Sequence, residues 1–243
     1  MPLKVSIIIP TLNEEKLLES TLRQFSPSLK KLFNIETIIS DGRSKDKTIK
    51  IAEEFADKVV LPPDSSIQNI SKGRNLGAGA ASGNILYFMN ADTRIPDIEG
   101  FFLKTTGVFK NTSVAAIACP IKVFPEEEKL SDKLFHFCYN NYVNLLNKTG
   151  MGMGRGECHI VRKSIFTKVN GYNEELAAGE DYDLYKRIRG YGKIKFLSDV
   201  VVFESPRRYR KYGYLSVFAD WTRNSLSVLF RNKSVSKSWD PVR

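Results

Sequence analysis

Ile85-Leu86-Tyr87-Phe88-Met89-Asn90-Ala91-Asp92-Thr93-Arg94-Ile95-Pro96 is the stretch whose reading decides the fold. Its five leading apolar residues predict a strand buried on both faces. The strand runs into Asn90-Ala91-Asp92, a polar step that ends on an acid. Pro96 stands where a helix would begin, because its fixed φ and missing N–H suit a first turn. In an open α/β sheet, ligands gather outside the carboxyl ends of the strands. Asp92 would then sit at the mouth of a site as a hard oxygen ligand for a divalent cation. The plain alternative is that Asp92 merely caps the helix after Pro96.

Upstream, Lys4 to Pro10 reads as a buried strand, and Glu15 to Gln24 carries Leu17, Leu18 and Leu22 at helical spacing. Glu36 to Ser40 is a second strand ending at Asp41-Gly42. Ser44 or Asp46 can cap a helix holding Ile49, Ala52 and Phe55. Lys58 to Leu61 is a third strand, and Ser71 to Ala81 a helix of small residues that leads into the strand at Ile85. This alternation predicts a mostly parallel sheet with right-handed crossovers and helices on both faces. Downstream, Val114 to Ile121 reads as a strand and Lys129 to Asn147 as a long helix with Leu134, Phe137, Val143 and Leu145 inside. Met151 to Gly156 is a loop with glycine at every second place, and Glu157 to Arg162 is strand-like. Ser164 to Val169 and Glu180 to Arg189 are helical, and Ile194 to Leu197 and Val200 to Phe203 are short strands.

The expected organisation is one catalytic domain over residues 1–212, with a nucleotide-binding half (1–96) and an acceptor-side half (97–212). Residues 213–243 form an amphipathic helix and tail. That helix carries Tyr214, Val217, Phe218, Trp221, Val228 and Leu229 on one stripe, with Arg223 and Asn224 off it. It would dock on its own domain or a sister subunit, with a membrane interface as the alternative.

With 243 residues and 42% hydrophobic content the chain can bury a substantial core. No run approaches the ~18 apolar residues of a membrane span, and no leader is visible at the N-terminus. Three widely spaced cysteines point to reduced thiols and a cytoplasmic setting. A net charge of +10 suits a phosphorylated substrate, an anionic membrane surface or nucleic acid. The densest basic run is Arg207-Arg208-Tyr209-Arg210-Lys211-Tyr212. It reads as a solvated loop, a membrane contact, or a flap that sets Arg207 or Arg208 on a donor phosphate, and the flap is preferred. Cys158-His159 lacks partners at metal-ligand spacing, so His136 and His159 are taken as structural.

Four features fall at strand ends or helix starts on one predicted edge. They are Pro10 to Glu14, Asp41, the Lys72-Gly73-Arg74-Asn75-Leu76-Gly77 helix entry, and Asp92. An acid after the second strand can accept hydrogen bonds from a base or ribose. An arginine near a helix start can bind phosphate. Together with SIIIPTLNEE, IISDGRSKDKT, GRNLGAGAASGNILYFMNADTRIP and GECHIVRKSIFTKVNGYNEELAAGEDYDLYKRI, this order resembles the family 2 glycosyltransferases of the GT-A fold. The resemblance covers most of residues 4–190.

What it implies is transfer of a sugar from a nucleotide-sugar donor, with Mg2+ or Mn2+ and inversion at the anomeric carbon. The acceptor would be a glycan hydroxyl or a lipid-linked phosphate. Pro10, Thr11 and Glu14 match the family's first nucleotide loop, and Asp41 matches its nucleobase acid. Arg74 corresponds to a basic residue near base or phosphate. Asn90 and Asp92 match the two ends of its metal motif, and Asp181 matches its general base. Asn90 replaces an acid, Gly42-Arg43 replaces the commoner Asp-Gly, and Leu12 replaces a tyrosine. The Gln-any-any-Arg-Trp motif of processive synthases is missing. A nucleotidyltransferase would show a glycine-rich, lysine-bearing loop after the first strand, which this chain lacks. The rival of another class is an RNA- or membrane-binding module with an inactive transferase-like site.

Overall fold

The computed structural model describes residues 3–63 and 69–236. The first half alternates as expected: β1 (Val5–Thr11), α1 (Leu18–Arg23), α2 (Pro27–Phe33), β2 (Ile35–Asp41), α3 (Thr48–Phe55), β3 (Lys58–Val60), α4 (Ile70–Ala80) and β4 (Ile85–Met89). Helix α2 was not anticipated, although its signals are local. Ser26 accepts from the Leu29 amide and Pro27 fills the first turn. The second half contains β5 (Thr93–Arg94), α5 (Ile98–Val108), β6 (Val114–Ala118), β7 (Ile121–Val123), α6 (Leu130–Lys148), β8 (Cys158–Arg162), α7 (Lys163–Lys168), α8 (Glu180–Arg189), β9 (Lys193–Phe196), β10 (Val202–Glu204), α9 (Arg207–Tyr212) and α10 (Tyr214–Arg231).

A seven-stranded sheet runs in the order β3-β2-β1-β4-β8-β6-β9, with only β8 antiparallel to its neighbours. Strand β1 alternates between two cores. Ile7 and Ile9 join Tyr87 and Phe102 on one face, while Ile8 joins Phe88 and Tyr185 on the other. The sheet is thus clad on both sides, as its apolar strands require. The chain order reverses between β1 and β4, which leaves a crevice beyond their carboxyl ends. Helix α4 lies close over this point because Gly77 has no side chain. A Cβ there would stand 2.4 Å from Ile8 Cγ2.

The structure corrects several expectations. The helix after Pro96 starts at Ile98 and is capped by Asp97, whose Oδ1 accepts from the Gly100 amide, so Asp92 is not its cap. The Val114-to-Ile121 strand ends at Ala118. Beyond Pro120 the chain moves to a second sheet, β5-β10-β7. Of the residues expected inside α6, Val143 is buried but Leu134, Phe137 and Leu145 point outward, and Asp132, His136, Tyr139 and Asn140 are buried in their place. Helix α10 packs Val217 and Val228 inward, with Trp221 beside Phe135 and Tyr139. Asn224, expected off the packed stripe, is buried, and its Oδ1 accepts from the amides of Val235 and Ser236. Residues 237–243 of the expected tail lie outside the described residues.

Candidate active site

The ends of β1 and β2 meet in register, with Thr11 opposite Asp41. Thr11 Oγ1 donates to Asp41 Oδ2 at 2.7 Å, and the Ser44 amide and hydroxyl donate to the same carboxylate at 2.7 and 2.6 Å. Asn13 bridges the two loops: its amide donates to Ser44 Oγ, and its Oδ1 accepts from the Lys45 amide. The polar residues that break the strand pattern therefore build a rigid rim. Arg43, an added cation by sequence, turns its guanidinium to the Pro62 carbonyl at 3.0 Å.

Beyond this rim is a cleft of 540 Å3. Pro10, Thr11, Glu14, Asp41, Arg74, Asn90, Asp92, Asp181, Arg207 and Arg208 all line it. Asp181 enters from the first turn of α8, which follows Gly179 in the left-handed region at φ +81°. Its Oδ1 accepts from the Tyr182 amide at 2.8 Å. Burial, reinforced by the neighbouring charges of Glu180 and Glu157, pushes its pKa up to about 7.

Asp92 lies at the turn after β4. Burial raises its carboxyl to about 6; Arg207 opposes the rise, while Glu14 and Glu157 add to it. Arg207, at the start of α9, reaches across the cleft. Its Nη2 is 3.1 Å from Asp92 Oδ2, and its fork donates to both Glu14 oxygens at 3.1 and 3.2 Å. The basic run is therefore a short helix over the cleft, with Arg210 anchored to Asp132 on α6. Arg208 shares the lining, its guanidinium 5.9 Å from the Tyr212 ring centre.

Arg74, expected near base or phosphate, lines the cleft and is also bonded within the protein. Its fully buried guanidinium donates to Glu180 Oε1 at 3.0 Å, to the Gly156 carbonyl, and to Asn90 Oδ1 at 3.4 Å. It ties α4 to the start of α8 and so fixes the helix that bears Asp181. Asn90 is correspondingly turned toward Arg74 rather than toward Asp92.

A divalent cation has a partial fit here. Asp92 is a buried carboxyl with Glu14 and Glu157 near it and Arg207 against it, so a hard anionic ligand is available. Among the described residues no three His, Cys, Asp or Glu side chains form a ready cage. One carboxylate, with phosphate oxygens and water completing the shell, is the arrangement such a site allows.

The family model for glycosyl transferase family 2 matches residues 6–169. The chain belongs to that family. A probable glycosyltransferase of Bacillus subtilis, YdaM, is 22% identical over 219 residues, covering 83% of this chain and 50% of that protein. The chain thus spans half of that relative's length. Among solved structures, a mannosyltransferase from Pyrobaculum calidifontis in complex with GDP-Man and Mn2+ superposes with a TM-score of 0.67. It is 18% identical and covers 92% of this chain and 65% of that one. Glucosyl-3-phosphoglycerate synthase from Mycobacterium tuberculosis, with Mn2+, UDP-glucose and phosphoglyceric acid, gives 0.63 at 16% identity, covering 93% and 78%. These likenesses establish the GT-A fold for this member of the family.

In this member some cleft residues had no sequence signal. Arg155, within the glycine-alternating loop, is buried and donates to Glu157 and Glu204 at 3.1 and 3.2 Å. Burial disfavours the charge on Glu157, yet Arg155 holds that carboxyl below its ordinary value, while Glu204 is pushed well above. His136 Nδ1 also faces Arg155, at 3.1 Å. Burial and that cation drive its pKa down to about 2, so the ring is neutral and structural. His159 is equally buried and bonded to the Tyr172 hydroxyl at 2.7 Å. Tyr139 of α6 and Trp221 of α10 complete one wall. Only tertiary packing brings Tyr139, Arg155, Glu157, Glu204 and Trp221 to the cleft.

Proposed function

We propose that this chain transfers a sugar from a nucleoside-diphosphate sugar to an acceptor hydroxyl or lipid phosphate, with inversion at the anomeric carbon. The observation that carries this is the pairing of Asp181 and Asp92, distant in sequence, on one cleft with Thr11 and Asp41 at its rim. Thr11 and Asp41 offer polar atoms for the nucleoside, and the diphosphate extends toward Asp92. For a hydroxyl acceptor, Asp181 takes the proton as the oxygen attacks the anomeric carbon and the nucleoside diphosphate departs from the opposite side. A carboxyl with a pKa of about 7 suits this role near neutrality.

Arg207 ion-pairs with Glu14 and Asp92 and can shift its fork onto the incoming diphosphate. That shift would leave Asp92 to a divalent cation, Mg2+ or Mn2+, which would supply charge neutralisation to the leaving diphosphate. The described cysteines are unpaired, which supports work in the reducing cytoplasm. The direct test is a panel of nucleotide sugars, each offered with Mn2+ and simple acceptors. Release of nucleoside diphosphate, with an inverted anomeric configuration in the product by NMR, is the expected result. A retained configuration, or no donor consumed by any combination, would overturn the proposal.

A further inference from the structure

Helix α6 buries a largely polar face and leaves an apolar one outside. Its inner face packs on the domain, while Leu134, Phe137 and Leu145 lie on the outer face. Helix α10 also presents apolar residues outward, with Val217 and Val228 buried and Leu215, Leu226 and Phe230 outside. These six outer side chains are between 49% and 86% exposed. The two helices lie side by side, with the Tyr139 ring 5.4 Å from Trp221 and 6.2 Å from Phe218. On each helix these side chains share one stripe opposite the buried face, so α6 and α10 each present an apolar outer side. Exposed apolar sides of this kind mark interaction surfaces.

Charge decides the occupant. The two helices with their flanks, residues 129–148 and 213–236, hold six Lys and Arg against Asp132 and Asp220, a net charge of +4. Asp132 is buried beneath Arg210. Lys133 and Lys148 border the α6 stripe, Arg223 borders the α10 stripe, and all three are exposed. Of the acids just before α6, Glu126 is paired with Arg94 and Glu128 with Lys133. A second copy would bring one positive face against another and be repelled. An anionic bilayer offers both things the face lacks, apolar depth for the side chains and negative charge for the rim. No helix among the described residues is long and apolar enough to cross a membrane, so contact would be with the surface.

We propose that the α6–α10 face docks on an anionic lipid surface. The same two helices wall the cleft from their inner side through Tyr139, Trp221, Asn224 and Ser225, so docking by the outer side leaves that wall intact.

Flotation with phosphatidylcholine vesicles, with and without phosphatidylglycerol, tests the docking independently of catalysis. Binding is expected only with the anionic lipid and should be lost in high salt. Leu226→Asp and Phe230→Asp should each weaken it by about ten-fold or more, since each sets an anion in the buried face. Both positions are exposed, so the variants should keep the wild-type fold and any vesicle-free donor hydrolysis. Cys138 is the one exposed cysteine and lies on the outer side of α6, so a polarity-sensitive dye attached there should shift to the blue on vesicle addition. Absence of flotation, or a dye that stays in water, would overturn the proposal. A concentration-dependent dimer abolished by Leu226→Asp would also overturn it, giving the face to a second copy.

Discussion

Asp181 is placed by three local features: a left-handed glycine before it, the Tyr182 amide on its oxygen, and Arg74 holding Glu180 beside it. Burial raises its pKa from 3.8 to about 7, so between those values the folded chain binds a proton that the unfolded chain releases. The stability this provides is fully present below pH 3.8 and is lost as pH rises through about 7. Asp181→Asn should therefore melt at a higher temperature than wild type above pH 7, with the gap closing toward pH 3.8. The same substitution should lower turnover by about 100-fold or more. In the wild type, kcat/KM should climb with pH to a plateau above about 7, because the base acts when ionised. Arg207→Ala should raise the donor Kd about ten-fold or more, measured by titration calorimetry, since charge-assisted bonds to the diphosphate would be lost. Arg207→Lys should restore only part of the affinity, because an ammonium cannot reproduce the two-pronged contact. The rim acids and Asp92 were legible because each ends a strand. The working partners of Arg74 were not, because nothing in Lys72-Gly73-Arg74 announces that the side chain will turn toward Glu180 and Gly156.

Elements were read best where one periodicity had a single explanation. Strand β4, buried on both faces, and helix α8 matched their expected limits because their flanks carry clear breakers. Helix α6 was misassigned in its orientation because its buried face carries Asp132, His136 and Asn140, held by polar partners, while Leu134, Phe137 and Leu145 stay outside, so hydrophobic periodicity chose the wrong side. Strands β6 and β7 read as one, because Pro120 changes sheets within a continuous apolar run. Two predictions belong at this level. Gly77→Ala should cost about 1–3 kcal/mol in chemical denaturation, because overpacking of the α4–β1 contact outweighs the better helix propensity of alanine. Arg155→Met should cost about 3–5 kcal/mol by the same assay, as it strands Glu157 and Glu204 in the interior without their shared cation. A smaller loss in either variant would show that the contact relaxes more readily than its geometry implies.

Across the whole molecule, β1, β2 and β4 deliver polar groups to one edge, and the irregular second half closes over them with α8 and α9. The outline of this arrangement was legible in the order of motifs. The inward placement of Arg155, Glu157 and Glu204 was not, because the segment of Arg155 and Glu157 meets Glu204 only after two distant stretches have packed. The central claim is that Asp92 and Asp181 serve opposite ends of one bound donor. Titration calorimetry of UDP and GDP with Mn2+ into wild type, Asp92→Ala and Asp181→Asn tests it most directly. The better-bound nucleotide should keep its wild-type Kd with Asp181→Asn and lose about ten-fold or more with Asp92→Ala. Equal affinity in all three proteins, or a loss confined to Asp181→Asn, would contradict it.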